Sequence, residues 1–192
     1  MKKEQFDVVI VGVGGQGTLL ASKILGNLAM ADGRGVKVSE VHGMSQRGGS
    51  VITHVRVGNE VYPPLVSEGH ADFLVGFEAL EAARALPFLK PDGVAVVNGQ
   101  RILPMPVITG AMEYPENPLA ILEGHRVESV DAFSLAKEAG NARAVNLVLL
   151  GMLSRHLSFS DEAWRQAISA SVPPKTLSAN VDAFEKGRAV FA

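Results

Sequence analysis

The sequence predicts an α/β fold, a Rossmann-like open and mostly parallel sheet with helices on both faces, and three observations carry that expectation. Short runs rich in valine and isoleucine are apolar throughout, as strands buried on both sides must be. Helical patterns alternate with those runs along most of the chain. A glycine-rich loop follows the first run directly, as in a mononucleotide-binding strand–loop–helix unit.

The elements follow in order. Phe6 to Val11, interrupted only by Asp7, reads as the first strand. From Thr18 to Met30, Leu19, Ala21, Ile24, Leu25, Leu28 and Ala29 recur at helical spacing until Asp32-Gly33 ends the pattern. Val36 to Glu40 is a second strand and Val51 to Val57 a third, with Gly58-Asn59 expected to turn a hairpin into Glu60 to Tyr62. Asp72 to Phe77 reads as a buried strand, Glu78 to Leu89 as a helix, and Val94 to Asn98 as a strand entered through the turn Pro91-Asp92-Gly93. Pro104 to Pro118 holds four of the ten prolines and is expected to be irregular but ordered. A strand at Arg126 to Val130, a helix at Ala132 to Ala139 and an almost wholly buried helix at Ala142 to Leu157 come next. Helices around Asp161 to Ala170 and Lys175 to Gly187 end the chain, the last introduced by Pro173-Pro174.

Composition bounds the function. With 192 residues, 47% of them hydrophobic, the chain reads as a single domain spanning 1–192. A net charge of -2 and scattered lysines and arginines offer no field for nucleic acid. Cysteine is absent, which excludes a thiol nucleophile, a thiolate zinc site and cysteine-ligated iron–sulfur clusters on these residues. No stretch approaches the roughly 18 to 20 apolar residues of a membrane span, and no signal-peptide region precedes the first strand, so a cytoplasmic protein without membrane contact is expected.

Two loops concentrate the chemistry. Gly12, Gly14 and Gly17 satisfy G-x-G-x-x-G between a strand and a helix, where backbone amides and a helix N-terminus face an anionic group. Gly15, Gln16 and Thr18 complete this loop, and Gln16 places a bulky amide where a pyrophosphate would approach. The second loop, from Glu40 through His42, Gly43, Ser45, Gln46 and Arg47 to Gly48 and Gly49, also leaves the carboxyl end of its strand, so the two should be neighbours. Arg47 offers a planar fork to a carboxylate or phosphate, His42 donates or accepts, and Gly48-Gly49 present bare amides. In a nicotinamide enzyme, Glu40 would stand where an acidic residue takes the ribose hydroxyls. The bland alternative is that the glycines serve only tight packing of strand on helix.

Other features are read as structural. The segment from Gly43 to Arg47 lacks the last glycine of a nucleophile elbow, so Ser45 is no nucleophile and no catalytic residue is assigned. His42, His54, His70, His125 and His156 do not pair at metal-ligand spacing, and no metal site is expected. Trp164 reads as a core or interface anchor, and Glu78, Glu81 and Arg84 as a solvated helix face.

Taken together, Val9 to Thr18, Lys37 to Val51, Asn141 to Asn146 and Val172 to Lys175 resemble the gamma-type subunit or domain of the 2-oxoacid:ferredoxin oxidoreductases, over nearly the whole chain and most closely its indolepyruvate branch. The resemblance implies a non-catalytic subunit of a complex that oxidatively decarboxylates a 2-oxoacid to its acyl-CoA. It implies thiamine diphosphate and 4Fe–4S clusters on a larger partner subunit, ferredoxin as electron acceptor of the complex, and coenzyme A contact at the shared site. It carries that site role only to the matching loop residues. Two other classes stand beside it: an autonomous NAD(P)- or flavin-binding oxidoreductase, and a phosphate-binding regulatory module.

Overall fold

A computed structural model describes residues 5–43 and 49–191. Its centre is a six-stranded sheet in the order β2-β3-β1-β4-β5-β6, formed by β1 (Phe6–Val13), β2 (Gly35–His42), β3 (Ser50–Gly58), β4 (Ala71–Gly76), β5 (Leu89–Asn98) and β6 (Arg126–Val130). β1, β4, β5 and β6 pair in parallel, whereas β3 lies antiparallel to both β1 and β2. The sheet is therefore mixed, with its one reversed strand inside it.

That placement corrects the expected hairpin. The turn at Gly58-Asn59 does not lead into a strand at Glu60 to Tyr62; the hairpin is β2–β3, and the second loop forms its tip. The physical reason lies just downstream, where Pro63 and Pro64 cannot donate to a ladder. The segment instead crosses the face of β3, with the Pro63 carbonyl accepting from Arg56 Nη1 at 3.2 Å and the Val66 N–H donating to His54 Nδ1 at 3.3 Å.

Helices cover both faces. On one lie α1 (Thr18–Ala31), α4 (Ala132–Glu138), α5 (Val145–Ser154), α6 (Asp161–Ser169) and α7 (Leu177–Ala189), packed around a core that includes Ile10, Ile24, Leu25, Leu147, Leu150 and Phe184. On the other, α2 (Ala79–Arg84) and two 3-10 turns close over Val9, Val11, Leu74 and Val97. The predicted helix Glu78 to Leu89 is shorter because Pro87 lacks an amide hydrogen; the chain tightens into a 3-10 turn at Leu86–Phe88 and enters β5 at Leu89. The predicted Pro91-Asp92-Gly93 turn is an irregularity within β5, where the register slips between the Ala71–Leu89 and Phe73–Val94 pairs. In the proline-rich stretch only one helical turn forms, α3 (Met105–Ile108), before a 3-10 turn at Pro118–Leu122.

α5 is buried along its whole length, because it lies between the sheet and α7. Trp164 is a core residue, its ring packed on Phe159 and Phe184. At the amino edge of the sheet a charge ladder crosses four strands: Arg56 grips Asp7 with two bonds of 2.9 and 3.1 Å, Asp72 accepts the Asp7 N–H, and Lys90 pairs with Asp72 at 2.6 Å. The loops leave from the opposite, carboxyl edge.

Candidate functional site at the carboxyl edge

Gly12 stands one residue before the end of β1, where nothing larger fits. A Cβ at that position would lie 2.8 Å from Gln16 Oε1 and 2.9 Å from Phe77 Cβ, so the first glycine admits the loop's own glutamine. Gln16 turns inward, accepting the Val13 N–H at 2.7 Å and donating to the Phe77 carbonyl at 3.1 Å. This overturns the expectation that its amide would obstruct a ligand. Gly15 and Gly17 have φ of 101° and 91°, in the left-handed region where a side chain is strained. Gly17 caps α1 without any side-chain hydrogen bond to its amides.

The two loops are neighbours, as expected. The Gly14 N–H donates to the Gly49 carbonyl at 2.8 Å, and Val13 pairs with Ser50 at the end of the β1–β3 ladder. Glu40 Oε2 accepts from the hydroxyls of Thr53 at 3.1 Å and Thr18 at 3.4 Å, tying the end of β2 to the start of α1. His42 is exposed and its Nδ1 lies 2.9 Å from the Gly43 carbonyl. Ser45, Gln46, Arg47 and Gly48 lie outside the described residues.

Two clefts flank the first loop. One, of about 400 Å³, is lined by Gly14, Gly15, Gly17, Thr18, Leu19, Glu40, His42 and Val51. Its carboxylate opposes a phosphate. The other, of about 560 Å³, lies between Gly15, Gln16 and Gly17 and the segment Ala142, Arg143, Val145 and Asn146, with Gln100 and Phe133 opposite. Among the described residues no carboxylate lines it, and α5 begins there with no side-chain bond from its N-cap Ala144, though Asn146 Oδ1 accepts the Leu147 N–H at 3.0 Å. Asn146, nearly buried, donates from Nδ2 to the Gly17 carbonyl at 3.4 Å and so docks α5 against the start of α1. Arg143 is exposed at the mouth. It had no assigned role in the sequence reading, although its segment was part of the family resemblance; three-dimensional proximity to the glycine loop is what brings it in.

Glu78 and Glu81 also depart from expectation. They are buried, not a solvated face. Glu78 caps α2, with Oε2 accepting the Glu81 N–H at 2.9 Å, while its Oε1 accepts from Tyr114 Oη at 2.6 Å and from the Ile102 N–H at 3.1 Å. Glu81 accepts from Ser50 Oγ at 2.5 Å and pairs with Arg84 at 2.7 Å. Burial, and then the hydrogen bond and charge of Glu78, push the Tyr114 phenol well above its ordinary value, so it stays a donor. The sequence carried no signal for this, because glutamate is not among the residues favoured at a helix N-cap.

A strand–glycine loop–helix unit with a second loop hydrogen-bonded across it defines an α/β protein whose ligand or partner edge is the carboxyl end of its sheet. The chain belongs to the pyruvate ferredoxin/flavodoxin oxidoreductase family, whose model matches residues 7–190. It is 44% identical to the indolepyruvate oxidoreductase subunit IorB of Thermococcus kodakarensis, covering 96% of this chain and 95% of that one. To the subunit of the same name from Methanothermobacter thermautotrophicus it is 34% identical, covering 95% of each. Among solved structures, the keto/oxoacid ferredoxin oxidoreductase gamma subunit of Geobacter sulfurreducens superposes with a TM-score of 0.69 at 25% identity over 95% of both chains. The family places this chain among the subunits and domains of the 2-oxoacid:ferredoxin oxidoreductases.

Proposed function

We propose that residues 1–192 act as one gamma-type unit, the smaller, non-catalytic subunit of a cytoplasmic indolepyruvate:ferredoxin oxidoreductase. The likeness to indolepyruvate oxidoreductase subunits along nearly the full length of both chains carries this reading. Thiamine diphosphate and 4Fe–4S clusters belong on a larger partner subunit, which passes electrons to ferredoxin. This chain has no cysteine to ligate a cluster, and among the described residues no group of three or more His, Asp or Glu side chains could hold a metal ion.

Coenzyme A fits the Arg143 cleft better than the Glu40 cleft. Arg143 and the start of α1, which has no side-chain cap, favour an anion, and among the described residues the lining contains no carboxylate. Bound there, coenzyme A supplies the thiol that accepts the acyl group. The chain's own part is to hold the phosphates through Arg143 and the loop amides, and to present Gly12 to Thr18 and Glu40 to Gly49, Arg47 included, to the larger subunit. The nicotinamide reading gains little, since Glu40 is engaged by Thr18 and Thr53 and β3 lies between β2 and β1.

The test is anaerobic co-expression with the larger subunit, followed by thiamine-dependent reduction of a viologen dye by indolepyruvate and coenzyme A. The complex is expected to turn over and the isolated chain to be inactive. Arg47→Ala should cost the complex about 2 to 5 kcal/mol in coenzyme A use or assembly, with Arg47→Lys intermediate. Arg143→Ala should raise the KM for coenzyme A about tenfold without changing that for indolepyruvate. Dye reduction by the chain alone, or no association with the larger subunit, would overturn the assignment.

A further inference from the structure

A third cleft lies on the other face of the sheet from the Glu40 cleft, and the Val13–Ser50 pair forms part of its wall. It encloses about 380 Å³ between α2 and the α3 excursion, lined among others by Glu78, Glu81, Arg84, Leu103, Met105 and Ile108. At that size it is near the lower end of the roughly 300 to 1,000 Å³ of small-ligand sites, suited to a single anchoring side chain. Its floor is acidic. Glu78 is 1% exposed, and among the described residues it makes no ion pair; its oxygens are held by the Tyr114 hydroxyl and two backbone amides, with the Arg101 guanidinium 5.9 Å from the centre of the Tyr114 ring. Among the described residues the counter-ion of Glu81 is Arg84, whose side chain is half exposed.

The rim is the opposite in character. Leu103, Met105 and Ile108 are 49 to 64% exposed, and Met112 follows on the same excursion at 63%. Such a cluster of bare apolar side chains around a buried charge is unusual for a surface that stays in water. Apolar rims with methionine, closing around an arginine anchor, are characteristic of protein interfaces.

We propose that this cleft is a docking socket for one cationic side chain, an arginine or lysine flanked by apolar residues, on the larger subunit; this rests on the subunit reading above. The charge complementarity selects the occupant: one positive group would neutralise the excess negative charge of Glu78, Glu81 and Arg84, while its aliphatic stem would cover Leu103, Met105 and Ile108. The Glu78 bonds to Tyr114 and to the Ile102 N–H make the same carboxylate the clamp that holds the rim in place.

The test uses opposite charges at the exposed rim position Met105, whose side chain contributes little to folding. Met105→Lys, Met105→Glu and wild type are each co-expressed with the larger subunit, and dissociation on dilution is measured by mass photometry at low and high salt. Thermal melting of each free chain serves as the folding control. Met105→Lys is expected to weaken the complex about tenfold more than Met105→Glu, and salt to weaken wild type. Equal effects of the two substitutions, or none, would sink the socket while leaving the subunit assignment standing. A wild-type chain that forms no complex would take both down together.

Discussion

Gln16 uses its amide inside the fold, bonding Val13 of its own loop on one side and Phe77 after β4 on the other, and Gly12 is the space that makes this fit. The glycine motif here builds a rigid edge before it binds anything. His54 shows the same dependence on surroundings. It is nearly buried on β3, edge-on to Phe88, and its Nδ1 accepts from the Val66 N–H. Burial lowers the imidazole below its ordinary value of 6.5, so the unfolded chain takes up a proton first as pH falls. The stability that His54 contributes is present above about pH 6.5 and is lost as the pH falls through the lower, folded value. Melting temperatures measured between pH 7.5 and about 5 should therefore fall, and His54→Gln should flatten that slope. An unchanged slope would mean that the proton is taken up elsewhere.

The helices α5 and α7 meet at glycines. A Cβ on Gly151 would fall on the Phe184 carbonyl, and one on Gly187 would fall on the Val148 carbonyl, so the two backbones interlock where no side chain intervenes. Alanine would gain about 1 kcal/mol of helix propensity at either site. Overpacking against a carbonyl oxygen that cannot move aside outweighs it, and Gly187→Ala is expected to destabilise the chain by a net of about 2 kcal/mol in urea unfolding. A stabilised variant would show that the helices can separate freely. The excursion carrying α3 follows another logic. With little secondary structure of its own, it is held at Ile102 and Tyr114 by the one buried carboxylate of Glu78.

For the molecule as a whole, the insertion of β3 between β1 and β2 separates this fold from a dinucleotide-binding sheet, in which β2 lies directly beside β1. Neither NAD nor NADP should raise the melting temperature of the isolated chain, even at millimolar concentration. A clear rise, lost in Gly14→Val, would restore the nicotinamide reading, because a ligand that binds only the folded state must stabilise it. Strand and helix identity was readable because a run such as Val8 to Val11 is short, β-branched and followed at once by glycines, whereas the apolar stretch that forms α5 is too long for such a strand and rich in leucine. The proximity of the two loops also followed, since both leave carboxyl ends of strands in one open sheet. Strand order did not follow, because β3 has the same alternating pattern whether it pairs forwards with Glu60 to Tyr62 or backwards with β2. Nor could periodicity reveal the burial of Glu78 and Glu81 or the approach of Arg143 to the glycine loop. These depend on residues distant in the chain, Tyr114, Ser50 and Asn146, being brought within hydrogen-bonding distance, and only packing does that.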